Sequence, residues 1–240
     1  MSGFDLKNEE DVKEYLENLG VEYRFGCYHE KRADACHLLG DYLSAIKRDY
    51  RKAFKVYQKN CDERDAQLSC HNTAGYFASG KSGEKDWQKA YQYYVKGCEL
   101  GHYASCFNAG SIDHHRALAP LAENENNPRD CQLLKRALGF FKKACDLGKS
   151  PDACFQYSTE MRQGVKDCIE ADSREALKYS VMGCEEKSIQ CCHNTSVAYK
   201  HGAGAPANPV LAEFYRKVTL DLNEQENEKQ KQMKFGETGP

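Results

Sequence analysis

Apolar and small residues return along this chain at helical spacing, and the arrangement itself recurs. In the stretch from Asp86 to Cys98, the residues three, four and eight positions after Ala90 are Tyr93, Tyr94 and Cys98, which a 3.6-residue period places on one face. That face is the one to bury. Asp86 stands where a side-chain oxygen accepts from the first, unpaired N–H groups of a helix, Gly101 where a helix stops, and Cys106 opens the next apolar segment. Two cysteines therefore flank one helix-to-helix turn.

The unit repeats. Ala53, Ala90, Ala137 and Ala176 each precede a cysteine by eight residues (Cys61, Cys98, Cys145, Cys184), with Val56, Tyr93, Phe140 and Tyr179 three residues after the alanine. Ala212 and Tyr215 continue the series, and Leu220 in place of the next cysteine ends it. Asp49, Asp86, Asp172 and Asn208 lie four residues before the alanine as caps, with Pro209 at a first helical position; Leu133 breaks the rule in the third unit. A second series, Cys36, Cys70, Cys106, Cys154 and Cys192, is followed four residues on by Gly40, Ala74, Gly110, Ser158 and Ser196. Small side chains on one helix face admit a close partner helix, as an antiparallel hairpin requires. The intervals of 34, 36, 48 and 38 residues are a solenoid period, the long one holding an insertion around Ala117 to Arg129.

The pattern predicts helical hairpins over residues 34–62, 68–99, 104–146, 152–185 and 190–220. Residues 9–19 read as a short helix with Val12, Tyr15 and Leu16 as its stripe, and 20–30 as the rest of a partial repeat, so that 1–33 form N-terminal capping helices and 34–220 the solenoid. The insertion from Asp113 to Arg129 reads as a polar loop. Residues 221–240 read as a charged helical extension that frays into disorder from Phe235 to Pro240.

Composition narrows the function classes. With 40% hydrophobic and 29% charged residues and a mean hydropathy of -0.79, the chain is polar for one globule, which a thin stacked array tolerates. A net charge of -2 supplies no basic field, so no nucleic-acid partner is expected; the apolar runs are too short to span a bilayer, and a monomer is expected. Fifteen Tyr and ten Phe exceed what thin cores require, and exposed Tyr on a concave face suits protein recognition.

Thirteen cysteines change the picture further. Ten fall into neighbouring pairs eight or nine residues apart: Cys27 with Cys36, Cys61 with Cys70, Cys98 with Cys106, Cys145 with Cys154, and Cys184 with Cys192. Zinc would want ligands two to five residues apart, and the chain has no C-x-x-C. Reduced cysteine packs as a small hydrophobe, yet packing alone does not account for a pair at five successive junctions. Disulfides are the preferred reading, because a helix end and the next helix start bring Cα atoms within about 7 Å. Each would contribute about 2–3 kcal/mol in the chain-entropy model. Bridges call for an oxidising compartment, whereas Met1 to Asp11 shows neither a secretory signal nor an Arg-rich presequence, and Met1 speaks against a signal already removed. The mitochondrial intermembrane space reconciles the two facts.

The small residue, Gly80-Lys81-Ser82-Gly83 or Gly202-Ala203-Gly204, Asp-x-x-Lys-Ala and Tyr-Tyr together resemble the Sel1-like repeat, in the cysteine-rich variant of the Helicobacter cysteine-rich proteins. Tyr15-Leu16-Glu17-Asn18, Cys27 to Lys31, Cys36 to Leu43, Ala144 to Gly148 and Lys234-Phe235-Gly236 are similar to the cytochrome c oxidase assembly factor 7 family. The resemblance implies an all-α fold, a right-handed α-solenoid of about five Sel1-like (TPR-like) hairpins stapled by disulfides. It implies an intermembrane-space protein supporting respiratory complex IV assembly. Its partners would be complex-assembly proteins and the oxidative import machinery. Non-covalent haem binding and thiol-disulfide activity are also suggested for that family; neither follows from the spacings.

Candidate chemistry is sparse. Cys131, Cys168 and Cys191 lie outside the junction pairs, as free or redox-active thiols or, for Cys131 and Cys168, as a sixth bridge; Cys191 beside Cys192 offers Cys184 an alternative partner. A disulfide reductase would ordinarily show C-x-x-C at a helix start. Haem would need axial ligands from His29, His114, His115, Met161 or Met182, each read instead as an exposed His or a core Met. His37, His71 and His193 follow junction cysteines and reflect the repeat rather than a metal site. Ser44-Ala45-Ile46-Lys47 matches the S-x-x-K of β-lactamase-like hydrolases, without S-D-N or K-T-G, and reads as a surface Ser and Lys. The reading is therefore a stapled interaction scaffold with no catalytic residue and no required cofactor or metal; a thiol-disulfide oxidoreductase or haem chaperone of the same pathway stands second.

Overall fold

A computed structural model describes residue 5 and residues 7–81, 83–123, 130–148 and 150–236. Eleven helices make up nearly all of this: α1 (Glu9–Tyr28), α2 (Ala33–Ala45), α3 (Tyr50–Arg64), α4 (Gln67–Ser79), α5 (Trp87–Glu99), α6 (Tyr103–Glu123), α7 (Cys131–Gly148), α8 (Pro151–Gln163), α9 (Ser173–Glu185), α10 (Ile189–His201) and α11 (Pro209–Gly236). Among the described residues, the one extended pairing is a bridge of Val165 with Ile169 in the α8–α9 loop. The fold is all-α, as the periodicity predicts.

The helix starts are set by the caps. Asp49 accepts from Lys52 N–H at 3.0 Å, Asp86 from Lys89 N–H at 2.9 Å, and Asp172 from Arg174 and Glu175 N–H at 2.9 Å. Asn208 does the same for Val210 and Leu211 at 3.1 Å. In the third unit, where Leu133 breaks the rule, Asp130 accepts from Gln132 and Leu133 N–H at 3.0 Å, because α7 starts earlier than the repeat register. Gly80 ends α4 with φ +71°, a left-handed conformation in which a side chain would be strained.

The chain divides into two compact units, residues 1–105 and 106–240. In the first, α1 packs on α2, α2 on α3, α3 on α4 and α4 on α5. One core cluster joins Cys27, Cys36, Leu39, Tyr42 and Val56; the next joins Ala53, Tyr57 and Tyr76. In the second unit α7 packs on α8, α8 on α9, α9 on α10 and α10 on α11, with Leu134, Phe141 and Tyr179 wholly enclosed. The alanines of the first series are buried throughout. The ring on the contact face often lies four rather than three residues after the alanine: Tyr57, Tyr94 and Phe141 are buried, whereas Tyr93 and Phe140 are half-buried.

Three expectations are corrected. The N-terminal segment is one helix, α1, that passes through Gly20 instead of stopping at residue 19; Gly20 is where the Tyr42 ring seats, and a Cβ there would collide with it. The polar loop predicted from Asp113 is helical as far as Glu123, because Asp113 and Ala117 point inward and are fully buried; the rest of that prediction, at 124–129, lies outside the described residues. Phe235 and Gly236, predicted to open a disordered tail, belong to α11; the rest of that prediction, at 237–240, lies outside the described residues.

Candidate functional site

The junctions are where the chemistry-bearing residues gather. Each couples the C-terminal turn of one helix to the first turn of the next, and the turn is tight enough to bring two cysteines together. Cα–Cα separations are 4.4 Å for Cys27–Cys36, 4.8 Å for Cys61–Cys70, 5.0 Å for Cys145–Cys154 and 4.6 Å for Cys184–Cys192, and each pair is disulfide-bonded. Cys98 and Cys106 each take part in a disulfide as well. All ten sulfurs belong to residues no more than 7% exposed. A junction bridge therefore works as a covalent part of the core, shielded from solution thiols.

The other three cysteines separate. Cys131, at the start of α7, is bonded to Cys168 in the α8–α9 loop across 37 residues, and both are half-buried. Cys191 is free and fully buried, with Sγ 4.0 Å from the carbonyl of Pro151. Burial pushes its thiol pKa up, the reverse of what a nucleophilic or exchanging thiol needs. Cys184 takes Cys192, leaving Cys191 out of the bridge.

His37 and His71, which follow junction cysteines, and His102 form an arrangement the sequence reading missed. His37 Nδ1 lies 3.2 Å from Ser69 Oγ, His71 Nδ1 3.1 Å from Ser105 Oγ, and His102 Nδ1 2.9 Å from the same hydroxyl. The backbone N–H of Ser105 also donates to His102 Nδ1 at 3.2 Å, which makes that nitrogen an acceptor. With one hydroxyl proton to give, Ser105 Oγ donates to His102 and accepts from His71, so His71 carries its proton on Nδ1. Burial is the first cause holding all three imidazoles neutral: His37 and His102 are lowered, and His71 falls to about 4, with neighbouring His102 adding to the effect. The sequence marked Ser69 and Ser105 only by position, each directly before a junction cysteine. His193 is exposed.

The remaining candidates do not converge. His29 stacks on Phe25 with ring centroids 4.6 Å apart, and His114 Nε2 lies 3.0 Å from Glu160 Oε1. His115 is exposed, Met182 is half-buried, and Met161 lines a 230 Å³ cleft that contains no histidine and no second methionine. These residues do not fit an axial ligand pair for haem. Among the described residues no group of three His, Cys, Asp or Glu side chains is placed to hold a metal ion. Ser44 Oγ accepts from Tyr76 at 2.8 Å while Lys47 lies 3.6 Å from Glu17, so Ser44 and Lys47 serve different partners and form no nucleophile-base pair. No helix of the described residues is long and apolar enough to cross a membrane.

Comparison with known proteins agrees with this picture. The Sel1 repeat family model matches residues 33–63, 68–102, 128–149, 151–188 and 189–215. A cytochrome c oxidase assembly factor 7 homolog of Drosophila melanogaster is 35% identical, with 92% of each chain covered. Cytochrome c oxidase assembly factor 7 of Xenopus tropicalis is 36% identical and that of Homo sapiens 32%, each alignment covering 97% of this chain and 98% of the relative. A solved Sel1 repeat protein from Oxalobacter formigenes shares the fold with a TM-score of 0.67 at 17% identity, over 88% of this chain and 83% of its own. With its helical hairpins, its bridged junctions and relatives alike from end to end, the chain is a Sel1-repeat solenoid protein and belongs to the cytochrome c oxidase assembly factor 7 family.

Proposed function

We propose that the chain is an assembly factor for respiratory complex IV, working in the mitochondrial intermembrane space as a disulfide-stapled scaffold for other proteins. The observation that carries this reading is the series of buried junction bridges in a chain similar, over nearly its whole length, to proteins named for cytochrome c oxidase assembly. Bridges persist in an oxidising compartment and stiffen an array whose repeats contact only their neighbours. A stiff array holds its surface side chains in place for a partner before the partner arrives, which lowers the ordering cost of binding. Its partners are complex-assembly proteins and the machinery that installs the bridges. A second reading, thiol-disulfide exchange, draws on the half-buried Cys131–Cys168 bridge alone.

The test is made on the protein in its own cells. Mitochondria are fractionated, free thiols are blocked, and the bridged cysteines are then reduced, labelled and mapped by mass spectrometry. Twelve of the thirteen cysteines should be protected, and a tagged copy should co-isolate complex IV assembly proteins. Restoration of complex IV by a Cys131→Ser/Cys168→Ser variant favours the scaffold; loss of complex IV with that variant alone favours exchange. Free junction sulfurs in the native protein overturn the proposal.

A further inference from the structure

A cavity of about 640 Å³ opens among α1, α2 and α3 in the first unit. The three helices set its shape: α2 lies between α1 and α3 and gives the floor, with Cys36, Leu39 and Leu43 at the helical spacing of one stripe. Cys27 and Val56 complete an apolar bottom that is itself closely packed, so the open apolar surface of the groove is that of Leu43 and of exposed Tyr28. On one side stand Lys52, Lys55 and Lys59, three and four residues apart along α3, a row about 10 Å long. On the other stand Arg24 of α1 and Lys31 of the following turn, and Arg64 ties that end by donating its Nε–H to the Lys31 carbonyl at 3.2 Å.

Six cations and no carboxylate line this groove in a chain whose net charge is -2. Asp49 reaches Lys52 at 2.9 Å and Glu63 reaches Lys59 and Arg64 at 3.8 Å, all from outside the lining. Arg24, Lys31 and Lys55 enter no ion pair among the described residues. All three are exposed, and long cationic side chains can lay an apolar stem along a surface while the charge stays in water. An anion laid along the groove would gain both contacts at once.

The geometry points to an acidic amphipathic helical segment of a partner protein as the occupant, an inference that rests on the scaffold reading and names the site where one partner docks. The distribution of charge decides against a lipid or fatty-acid anion. A headgroup carries its charge at one end, whereas here the cations run along both long sides of an apolar trough. A short helix with an apolar stripe and acidic residues on each flank matches that pattern.

The experiment uses the full-length, oxidised protein and a fluorescent helical peptide of about 15 residues, bearing a leucine stripe flanked by glutamates. A scrambled peptide of the same composition and dodecanoate serve as comparisons. Binding of the amphipathic peptide at least about tenfold tighter than the scramble, and about tenfold weaker to a Lys52→Gln/Lys55→Gln/Lys59→Gln variant, is expected, since three exposed ion pairs together are worth that much. Raising the salt should weaken it. Equal binding of the scramble, an unchanged affinity in the variant, or displacement of the peptide by equimolar dodecanoate overturns the inference. A single Lys55→Glu variant repeats the measurement should the triple variant lose its helical circular dichroism. In cells the two levels separate. If wild-type protein co-isolates no assembly protein, the scaffold reading fails; if it does and the triple variant co-isolates the same set, the groove assignment alone fails.

Discussion

Gly40 of α2 lies face to face with the ring of Tyr57 on α3, so close that a Cβ at residue 40 would come within 2.6 Å of Tyr57 Cδ1 and 2.7 Å of Cζ. The ring has nowhere to go. Tyr57 is 2% exposed and donates its hydroxyl to Asp41 Oδ1 at 2.5 Å. The small residue four positions after the junction cysteine is thus the seat of an aromatic ring from the partner helix, and Gly110 seats Phe141 in the same way, with ring atoms 2.9 Å from an added Cβ.

Gly40→Ala should destabilise the protein although alanine is the better helix former. The helical preference favours alanine by about 1 kcal/mol, and overpacking against a fixed ring costs about 1–3 kcal/mol, so a net loss of up to about 2 kcal/mol is expected. Gly139 in α7 is the control: a Cβ there meets nothing within 4 Å, and Gly139→Ala should raise stability by up to about 1 kcal/mol. Urea unfolding of the oxidised proteins measures both. Equal stabilisation by the two substitutions would show that the Tyr57 ring is free to move aside.

Arg136 should be needed chiefly because Asp113 is there. The guanidinium of Arg136 donates from Nε to Asp113 Oδ2 at 2.6 Å and from Nη2 to Oδ1 at 2.9 Å; the aspartate side chain is fully buried while the arginine side chain is half exposed. Arg136→Met leaves a carboxylate inside the fold without its bidentate partner, for a loss of about 3 kcal/mol or more. Asp113→Leu/Arg136→Met removes both charges and should cost clearly less than the two single substitutions added together. A double-mutant cycle on urea midpoints reads the difference, and strict additivity would mean that the pair does not interact.

Acid should loosen the first unit through its histidines. His71 titrates near 6.5 when unfolded and at about 4 in the fold, lowered first by burial and then by His102, so between those values the unfolded chain binds the extra proton. Stability is therefore fully present above pH 6.5, falls as the pH drops from 6.5 to 4, and does not change further on this account below 4. The shift corresponds to about 2–3 kcal/mol after allowance for the part of the ring that water still reaches. His37 and His102 are lowered in the same direction and add to the slope. His71→Gln should flatten it; an unaltered pH profile in that variant would place the dependence elsewhere.

Local spacing made the junctions legible. The eight-residue step from alanine to cysteine and the four-residue step from cysteine to a small residue both lie within a few helical turns, so hairpins and cysteine partners could be named from the chain alone. Features that depend on a distant partner were hidden. Asp113 looked like the start of a polar loop because Arg136, which neutralises it inside the fold, is 23 residues away. Gly20 looked like a helix end because the ring that requires it belongs to Tyr42 of the next helix. Ser69 and Ser105 carried no signal by themselves, and their role appears once stacked repeats bring histidines against them. The basic groove draws on three helices and on side chains scattered between Arg24 and Arg64, a grouping that no single repeat displays.

The Cys131–Cys168 bridge should be the first to open under reduction, although on loop length it stabilises most. Closing a 37-residue loop is worth about 4 kcal/mol in the chain-entropy model, against about 2.5 kcal/mol for the nine-residue junction loops. Exchange, however, begins with a thiolate reaching a sulfur, and only access permits that. Both residues of this pair are half-buried, whereas the junction cysteines are almost fully enclosed. A graded series of glutathione buffers, quenched by alkylation and read by mass spectrometry, should label Cys131 and Cys168 while the junction pairs stay bridged. The helical circular dichroism should persist at that stage and the urea midpoint should fall. Simultaneous labelling of Cys61 and Cys70, whose residues have no exposed surface, would mean that the first unit opens as readily as the loop holding Cys168, and that the junction bridges are not part of a closed core.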